Sequence, residues 1–252
     1  MDQKRITDYI NSLDQGHGVL CDKIAKEARA AAVPIIRRET GALLQTLTAA
    51  VKPMRILEVG TAVGYSALLM AQSMPSGAHI TTIEKYQPRI VAAKENFRLA
   101  GMEDAITLME GDADKVLEQL SGTFDFIFMD AAKGQYIHWL PRILELMAEG
   151  ALLVTDNVLQ DGDVAESRFA VERRNRTIHA RMRDYLYTLT HMEELKTSIY
   201  RPDCPNDSRR ESGNPVFRRH LKTSMLIRII VRWLADEADD KFRKVFLAHR
   251  KK

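Results

Sequence analysis

Cysteine is scarce in this sequence, and its scarcity argues against a disulfide-stabilised scaffold. Two cysteines occur among 252 residues, and Cys21 and Cys204 lie far apart in no metal-binding spacing. Long apolar runs are also lacking, since none approaches the roughly 20 residues that a helix needs to cross a bilayer. Residues 1–14 are polar and charged and have no signal-peptide core. We therefore expect a cytoplasmic protein with no membrane partner.

A large excess of either charge is lacking as well. The 37 Lys and Arg residues nearly balance the 34 Asp and Glu residues, and the net charge of +3 permits a polyanionic partner without arguing for one. The seven histidines show no metal-ligand spacing, and a surface or helix position is the favoured interpretation of His138. What the sequence does have is 252 residues, 45% of them hydrophobic, which is enough for one α/β domain with a sizeable core.

Short apolar runs alternate with helix-like segments through the middle of the chain. Each run is four to six residues long and largely hydrophobic, which is typical of strands buried on both faces. Pro88 and Gly101 lie where one intervening helix would begin and end. This alternation predicts an α/β fold with a Rossmann-like, doubly wound, mostly parallel sheet and helices ahead of it. The predicted strands span residues 55–59, 79–83, 105–109, 124–129 and 151–154.

Helices are predicted on both sides of these strands. Apolar residues at helical spacing indicate helices over about 6–13 and 20–32 and a third helix through Leu43 and Leu47. A long helix is predicted over about 163–190, and its arginines have two interpretations. They form the solvated face of an amphipathic helix or a surface that contacts phosphates. The arginines concerned are Arg168, Arg173, Arg174, Arg176, Arg181 and Arg183.

A glycine-containing turn follows the first predicted strand, after Glu58. Glycine lets the chain turn sharply and approach a ligand, and the helix start beyond it offers free N–H groups. The G-x-G-x-x-G fingerprint of dinucleotide-binding proteins is lacking, because only Gly60 and Gly64 are present. This spacing suits a ligand with an amino-acid end better than a pyrophosphate.

Acidic residues also end the second and third predicted strands. Glu84 could accept hydrogen bonds from both hydroxyls of a ribose, and Asp112 lies where an adenine edge could be met. Either acid alone would be interpreted as a helix N-cap or a solvated loop residue. Because three successive strands end in Glu58, Glu84 and Asp112, and ligands bind at such strand ends, the binding interpretation is favoured.

Polar residues follow the fourth and fifth predicted strands at the same edge. Adjacent strand ends could bring Asp130, Asp156 and Asn157 together. Three oxygen ligands with room for water and substrate suit a hard cation such as Mg²⁺. The alternative is that these residues are loop acids that cap the following helices.

Taken together, these motifs resemble those of the class I, metal-dependent O-methyltransferases, which include the catechol and caffeoyl-CoA O-methyltransferases. The resemblance covers residues 6–199 and is most specific at 130–136 and 155–157, while residues 33–41 match a family stretch that lies over the cofactor. It implies an enzyme that uses S-adenosylmethionine together with Mg²⁺ or Mn²⁺, and it implies a homodimer.

The same resemblance assigns roles to individual residues. Asp130, Asp156 and Asn157 would hold the metal, and Lys133, together with Asp130, would act beside the accepting hydroxyl. Lys133 would either take the proton, with a pKa lowered by the metal, or stay charged and stabilise the oxyanion. The residues expected to bind S-adenosylmethionine are Glu58, Gly60, Thr61, Gly64, Ser66, Glu84, Asp112, Ala113 and Asp130.

The sequence leaves two classes of methyl acceptor open, and a third interpretation of the chain involves no methyl transfer. Residues 6–9 and the 157–164 loop before a basic helix resemble the bacterial branch that methylates 5-hydroxyuridine at the tRNA wobble position, with Arg37 and Arg38 in a basic rim. A small catechol-like phenol offers the same pair of adjacent oxygens. The third interpretation is a nucleotide-binding Rossmann protein without transferase activity, which the missing fingerprint and the predicted metal set disfavour.

The resemblance stops at Tyr200, so we expect a methyltransferase domain over 1–199 and a tail of unknown role over 200–252. Residues 201–210 contain two prolines and are predicted to be loop, whereas 221–249 are predicted to be helical. The tail is interpreted either as a genuine extension or as the product of an altered reading frame after Ile199.

Overall fold

The computed structural model describes residues 16–200 and 228–233, together with Arg5, Tyr9, Ser12 and Leu13, which have helical backbone. Most of the predicted helix over 6–13 and all of the predicted loop at 201–210 lie outside the described residues. Within the described part of the chain, no helix is long and apolar enough to span a membrane.

One sheet organises the described residues. Its seven strands are β1 (Arg55–Val59), β2 (His79–Glu84), β3 (Ile106–Glu110), β4 (Phe124–Met129), β5 (Met147–Thr155), β6 (Leu195–Tyr200) and β7 (Arg228–Trp233). They lie in the order β3-β2-β1-β4-β5-β7-β6. Strands β1 to β5 run parallel, and β7 is antiparallel to both of its neighbours. The predicted Rossmann-like, mostly parallel α/β fold is confirmed.

Helices cover both faces of this sheet. They are α1 (Val19–Ala30), α2 (Arg38–Val51), α3 (Tyr65–Ala71), α4 (Gln87–Leu99), α5 (Ala113–Gln119), α6 (Tyr136–Glu145) and α7 (Arg176–His191). Residues of α1 to α4 pack in one apolar layer and residues of α5 to α7 in the other. Ile56 belongs to the first layer, and Leu57 and Val59 to the second. Consecutive side chains of a strand point to opposite faces, so β1 is buried on both sides.

The predicted strands agree with the structure except at some ends. β1 and β4 have the predicted bounds, β2 and β3 differ by one residue, and β5 is longer than predicted. Pro88 lies in the first turn of α4, and Gly101, with φ +64°, follows its end. The signals for the beginning and the end of this helix are therefore confirmed.

The predicted long helix over 163–190 is wrong in its first half. The chain forms short 3₁₀ turns at Gln160–Ala165 and Arg173–Asn175, and α7 begins at Arg176. Glu166 and Glu172 have extended ψ values of 166° and 138°, so a continuous helix over these residues is excluded. Val171 is buried. It fits the helical spacing of apolar residues because it anchors a loop to the core.

The predicted helix over 221–249 is wrong at residues 228–233, which form β7. This strand lies between β5 and β6, where Val231 pairs with Leu153 on one side and Thr197 on the other. Backbone pairing with two distant strands outweighs a local helical pattern. The division of the chain at residue 199 stays a prediction, although β6 extends to Tyr200 and the sheet includes β7.

Candidate functional site

A cavity of about 500 Å³ lies at the carboxyl ends of β1 to β4. Residues 34–36, part of the stretch predicted to lie over the cofactor, also line it. Glu58, Gly64 and Asp156 are absent from its lining as the described residues define it. The predicted site residues that do line it are Gly60, Thr61, Ser66, Glu84, Asp112, Ala113, Asp130, Lys133 and Asn157.

The turn after β1 places the backbone of Gly60 against the backbone of Asp130 at the cavity wall. Gly60 has φ +109°, and a Cβ on it would collide with the carbonyl oxygen of Asp130, so glycine is required there. The amides of Gly60 and Thr61 both donate to the carbonyl of Ile83, at 3.1 Å. The turn is thereby tied to the ends of β2 and β4.

Gly64 has a packing role where a ligand contact was predicted. It has φ +83°, and a Cβ on it would lie 2.5 Å from the ring of Phe97. The missing side chain therefore lets α4 approach the beginning of α3. The glycine spacing that indicated a binding turn serves two purposes, since only Gly60 is part of the cavity lining.

Glu58 lies behind the cavity wall and is fully buried. Its carboxylate accepts hydrogen bonds of 2.5 Å from the hydroxyls of Ser66 and Thr82, and the hydroxyls of Thr82 and Thr61 are 2.6 Å apart. Because Ser66 and Thr61 line the cavity, Glu58 fixes two residues of the wall and does not line the cavity itself. Burial raises the pKa of Glu58 to about 7, against the lowering effect of the two hydroxyl donors.

The raised pKa of Glu58 makes stability depend on pH. With a pKa of 4.5 unfolded and about 7 folded, Glu58 binds its proton more tightly in the fold, so the free energy of unfolding falls as pH rises through this window. We expect this fall to be about 3 kcal/mol larger in the wild type than in Glu58→Gln. Denaturant unfolding at about pH 5 and about pH 8 measures the difference. An equal pH response in the two proteins would contradict the assignment.

Glu84 ends β2 and lines the cavity. Its two carboxylate oxygens accept hydrogen bonds from three backbone N–H groups, those of Ala62, Lys85 and Tyr86, at 2.9–3.0 Å. The turns after β1 and β2 are therefore held on one side chain. A carboxylate accepts about four hydrogen bonds, so Glu84 can accept a further one from a ligand.

Asp112 caps α5, as the alternative interpretation predicted, and it also lines the cavity. Its Oδ1 accepts from the amide of Asp114 at 3.2 Å, and its Oδ2 accepts from Nζ of Lys85 at 3.0 Å. The hydrogen bond from Lys85, followed by that from the Asp114 backbone, lowers the pKa of Asp112. Asp112 can therefore cap α5 and line the cavity at the same time.

The ends of β4 and β5 place the predicted metal residues at one edge of the sheet. Met129 pairs with Thr155, so Asp130 and Asp156 leave neighbouring positions of two parallel strands. The amide of Asp156 donates to the carbonyl of Met129 at 3.0 Å, and its side chain is buried. Asn157 follows with a left-handed backbone, φ +53°.

Lys133 lies between Asp130 and Tyr136. Its Nζ is 2.6 Å from Oδ1 of Asp130 and 3.0 Å from the hydroxyl of Tyr136, and its side chain is 14% exposed. Burial by itself lowers the pKa of Lys133, but the charge of Asp130 and the contact with Tyr136 raise it well above its usual range. Lys133 is therefore an ammonium ion in this arrangement.

The donor set around Asn157 fits a hard cation. The Oδ1 atom of Asn157 is buried and has no hydrogen-bond partner among the described residues, a state that costs about 1–3 kcal/mol unless a ligand relieves it. Two carboxylates and an amide supply the oxygen ligands that Mg²⁺ prefers. No three His, Cys, Asp or Glu side chains are grouped for a metal in the described part of the chain, and the predicted set has only two carboxylates.

Three of the arginines assigned to a basic surface bind the protein's own backbone. Arg181 donates to the carbonyl of Gly134 at 3.0 Å, and Arg176 and Arg183 each donate to a loop carbonyl at 3.3 Å. The solvated-face and phosphate-surface interpretations both left these contacts out. The contacts of Arg176 and Arg183 depend on the loop ahead of α7, which was predicted to be helical, and that of Arg181 depends on the 3₁₀ turn after β4.

Thr82 and Tyr136 carried no predicted role in the site, and Arg181 was predicted only as part of the arginine-rich helix face. Tyr136 belongs to the 130–136 motif, and its spacing of three residues from Lys133 is the signal that could have identified it. Thr82 and Arg181 reach the site from other elements of the fold. No local pattern in the sequence marks them.

A parallel sheet with a cavity at its carboxyl edge, a glycine turn after β1 and an acid at the end of β2 define a Rossmann-like ligand-binding protein. A sequence model of the O-methyltransferase family matches residues 19–195, so the chain belongs to that family.

Individual relatives agree with this membership. The chain is 37% identical over 131 residues to a catechol O-methyltransferase of Niastella koreensis, which covers 50% of this chain and 59% of the relative. It is 34% identical over 131 residues to a caffeoyl-CoA O-methyltransferase of Stellaria longipes, covering 50% and 54%. The chain thus spans little more than half the length of these curated relatives.

Solved structures with low sequence identity share the fold. An O-methyltransferase from Bacillus cereus in complex with S-adenosylhomocysteine has a TM-score of 0.75 and 20% identity, covering 91% of this chain and 97% of that chain. The O-methyltransferase TomG from Streptomyces achromogenes, in complex with S-adenosylmethionine, has a TM-score of 0.76 and 22% identity, covering 93% and 100%.

Proposed function

We propose that this chain is an enzyme that transfers the methyl group of S-adenosylmethionine to a hydroxyl oxygen, with Mg²⁺ or Mn²⁺ as the assisting cation. The observation that carries the proposal is one continuous cavity, lined from Gly60 and Glu84 to Asp130, Lys133 and Asn157. A cofactor and an acceptor held in one space can be aligned, and alignment supplies much of the acceleration of such a transfer. As the resemblance implies, we also propose a cytoplasmic homodimer.

The cofactor end of the cavity is the part lined by the turns after β1, β2 and β3. S-adenosylmethionine supplies an activated methyl group on a sulfonium centre. Gly60 would permit close approach of its amino-acid end, Glu84 would accept a hydrogen bond from its ribose, and Asp112 and Ala113 would lie beside its adenine. The two solved relatives were determined in complex with S-adenosylhomocysteine and S-adenosylmethionine, which supports a cofactor of this kind.

Removal of the Glu84 carboxylate tests the cofactor assignment. We expect Glu84→Ala to weaken the binding of S-adenosylhomocysteine by about 1–3 kcal/mol, because a charged hydrogen-bond partner is lost. Glu110 pairs with Glu84 in the sheet but lies outside the cavity lining, so Glu110→Ala is the matched control and should bind normally. Unchanged affinity of Glu84→Ala in calorimetry would remove Glu84 from the site.

The acceptor end of the cavity combines the proposed cation ligands with Lys133. Asp130, Asp156 and Asn157 would hold the cation, whose charge favours the anionic form of a nearby hydroxyl. Of the two roles open to Lys133, its contacts with Oδ1 of Asp130 at 2.6 Å and with the hydroxyl of Tyr136 at 3.0 Å support a fixed cation beside the accepting oxygen. Lys133 would then stabilise negative charge there, and the proton would leave to solvent.

For the acceptor we propose 5-hydroxyuridine at the tRNA wobble position. Its O5 hydroxyl and adjacent O4 carbonyl offer two neighbouring oxygens to a hard cation. Arg37 and Arg38 follow the cavity-lining residues 34–36, and Arg168 and Arg174 are exposed on the loop ahead of α7, where Arg174 also pairs with Glu172 at 2.7 Å. Such charges are suited to the phosphates of a polynucleotide.

A small catechol-like phenol is the second candidate. Curated relatives carry the names catechol and caffeoyl-CoA O-methyltransferase, and three arginines of α7 donate to backbone carbonyls. Transfer of a labelled methyl group should be measured in parallel to 5-hydroxyuridine tRNA, to tRNA with an unmodified wobble uridine, and to catechol. Transfer to the first alone supports the tRNA acceptor, and transfer to catechol alone supports the phenol. Transfer to none would contradict the enzymatic proposal.

The tRNA acceptor makes a separate prediction for the basic residues next to the cavity. Replacing Arg37 and Arg38 together with alanine should weaken tRNA binding and reduce the slope of its salt dependence by about 1–2. Transfer to catechol should change much less. Arg98, exposed on α4 and paired with Glu95, provides the control Arg98→Ala. Equal losses with both acceptors would show a structural role for the two arginines.

A further inference from the structure

We infer that the hydroxyl of Tyr136 is a positioning group, which aims the Lys133 ammonium and holds the turn that carries Asp130. The inference deepens the proposed function and rests on it. Tyr136 begins α6, directly after the 3₁₀ turn Lys133–Gln135. Its side chain is fully buried, so it acts on the reaction through Lys133 and makes no contact with the acceptor.

The Tyr136 hydroxyl makes three hydrogen bonds with the short turn after β4. It accepts a hydrogen bond from the amide of Ala131 at 2.9 Å and another from Nζ of Lys133 at 3.0 Å. It lies 3.4 Å from the carbonyl oxygen of Ala131, to which it donates. One oxygen therefore fixes the backbone after Asp130 and the side chain of Lys133 relative to each other.

Two contacts define the direction of the Lys133 ammonium. An ammonium group has three N–H bonds in a tetrahedral arrangement. When two of them point at Asp130 Oδ1 and at the Tyr136 hydroxyl, the direction of the third is fixed as well. Without the hydroxyl, Nζ could turn about its contact with Asp130. Stabilisation of charge in a transition state needs donors that are in place before the reaction begins.

The ring of Tyr136 is held independently of its hydroxyl. It packs edge-on against Tyr185, with ring centroids 5.6 Å apart, and in a tilted arrangement against Trp139, with ring centroids 6.0 Å apart. Nζ of Lys133 lies 5.3 Å from the centroid of the Tyr136 ring. Tyr136→Phe therefore removes a single oxygen and preserves the packing of α6.

Tyr185 provides a matched control in the same core. It is also fully buried and touches the same ring, but its hydroxyl is 2.8 Å from the hydroxyl of Thr155. Tyr185→Phe removes the same atom from the same kind of environment. It leaves the hydrogen bonds of Ala131 and Lys133 intact.

The first test compares steady-state methyl transfer in the two variants. Tyr136→Phe should lower kcat by about 10–100-fold, the loss typical of removing a group that orients an active residue, with S-adenosylhomocysteine affinity within about twofold of wild type. Tyr185→Phe should keep kcat within about threefold. A wild-type kcat in Tyr136→Phe, or losses in both variants that follow their Tm values, would overturn the inference.

The second test needs no catalysis. Because the amide of Ala131 donates to Tyr136, its hydrogen exchange in the wild-type fold should be slow, and Tyr136→Phe should speed it by about tenfold or more. Tyr185→Phe should leave it unchanged. Equal exchange in all three proteins overturns the inference alone. A wild type that methylates no acceptor overturns the proposed function, so the two failures are distinct.

Discussion

Chelation of divalent cations with EDTA is expected to abolish methyl transfer, and added Mg²⁺ or Mn²⁺ is expected to restore it. Asp130 and Asp156 leave neighbouring strand ends, and their carboxylates are ligands of the kind that Mg²⁺ prefers. The buried Oδ1 of Asn157 adds a neutral ligand. Full turnover in excess EDTA would contradict the metal assignment.

Replacement of single residues of the proposed cation site should also abolish methyl transfer. Asp156→Ala should lose methyl transfer by about 10²-fold or more, the upper range for a lost metal-site group, while S-adenosylhomocysteine still binds, because the cofactor would lie mainly on β1 to β3. Asp104 is exposed in the turn before β3, so Asp104→Ala serves as the control. Wild-type activity in a double variant of Asp130 and Asp156 would leave Lys133 to be considered as a metal-free base.

Replacement of Lys133 by methionine is expected to lower kcat by about 10²–10³-fold, the loss typical of removing a charge-stabilising group. Methionine keeps the apolar stem of the side chain, which is buried beside Tyr136. Affinity for S-adenosylhomocysteine should persist, because the cofactor would be held by the turns after β1 and β2. The measurement is kcat with calorimetric binding of the product.

A matched lysine on the surface controls for the loss of one positive charge. Lys115 is exposed on α5, and Lys115→Met should keep wild-type kcat. A small effect of Lys133→Met, within the range of this control, would show that Lys133 is structural. Loss of cofactor binding in Lys133→Met would place the residue at the other end of the cavity.

The central sheet was predictable because its strands are buried on both faces and interrupt helical periodicity. β1 and β4 have the predicted bounds. The segment before α7 was mistaken for helix, because a loop with buried anchors such as Val171 produces the apolar spacing of a helix. β7 was missed because its pairing partners, β5 and β6, lie far from it along the chain.

The strand-end rule accounts for the part of the candidate site that was predictable. Glu84, Asp112 and Asp130 each follow or end a parallel strand, and the carboxyl ends of such strands meet at one edge. The same rule cannot distinguish a residue that lines the cavity from one that is buried behind the cavity wall. Glu58 is an example, since its burial among hydroxyl donors depends on Thr82 of the neighbouring strand. The hydroxyl contact of Tyr136 likewise needs three-dimensional placement.

Cofactor binding is the claim on which the rest of the account depends, and calorimetric titration tests it most directly. S-adenosylhomocysteine and NAD should be titrated separately into the wild-type protein, with Glu84→Ala alongside. The account predicts one site per chain for S-adenosylhomocysteine, weaker binding in Glu84→Ala, and no binding of NAD. Binding of NAD without S-adenosylhomocysteine would contradict it and would favour a Rossmann protein of another class.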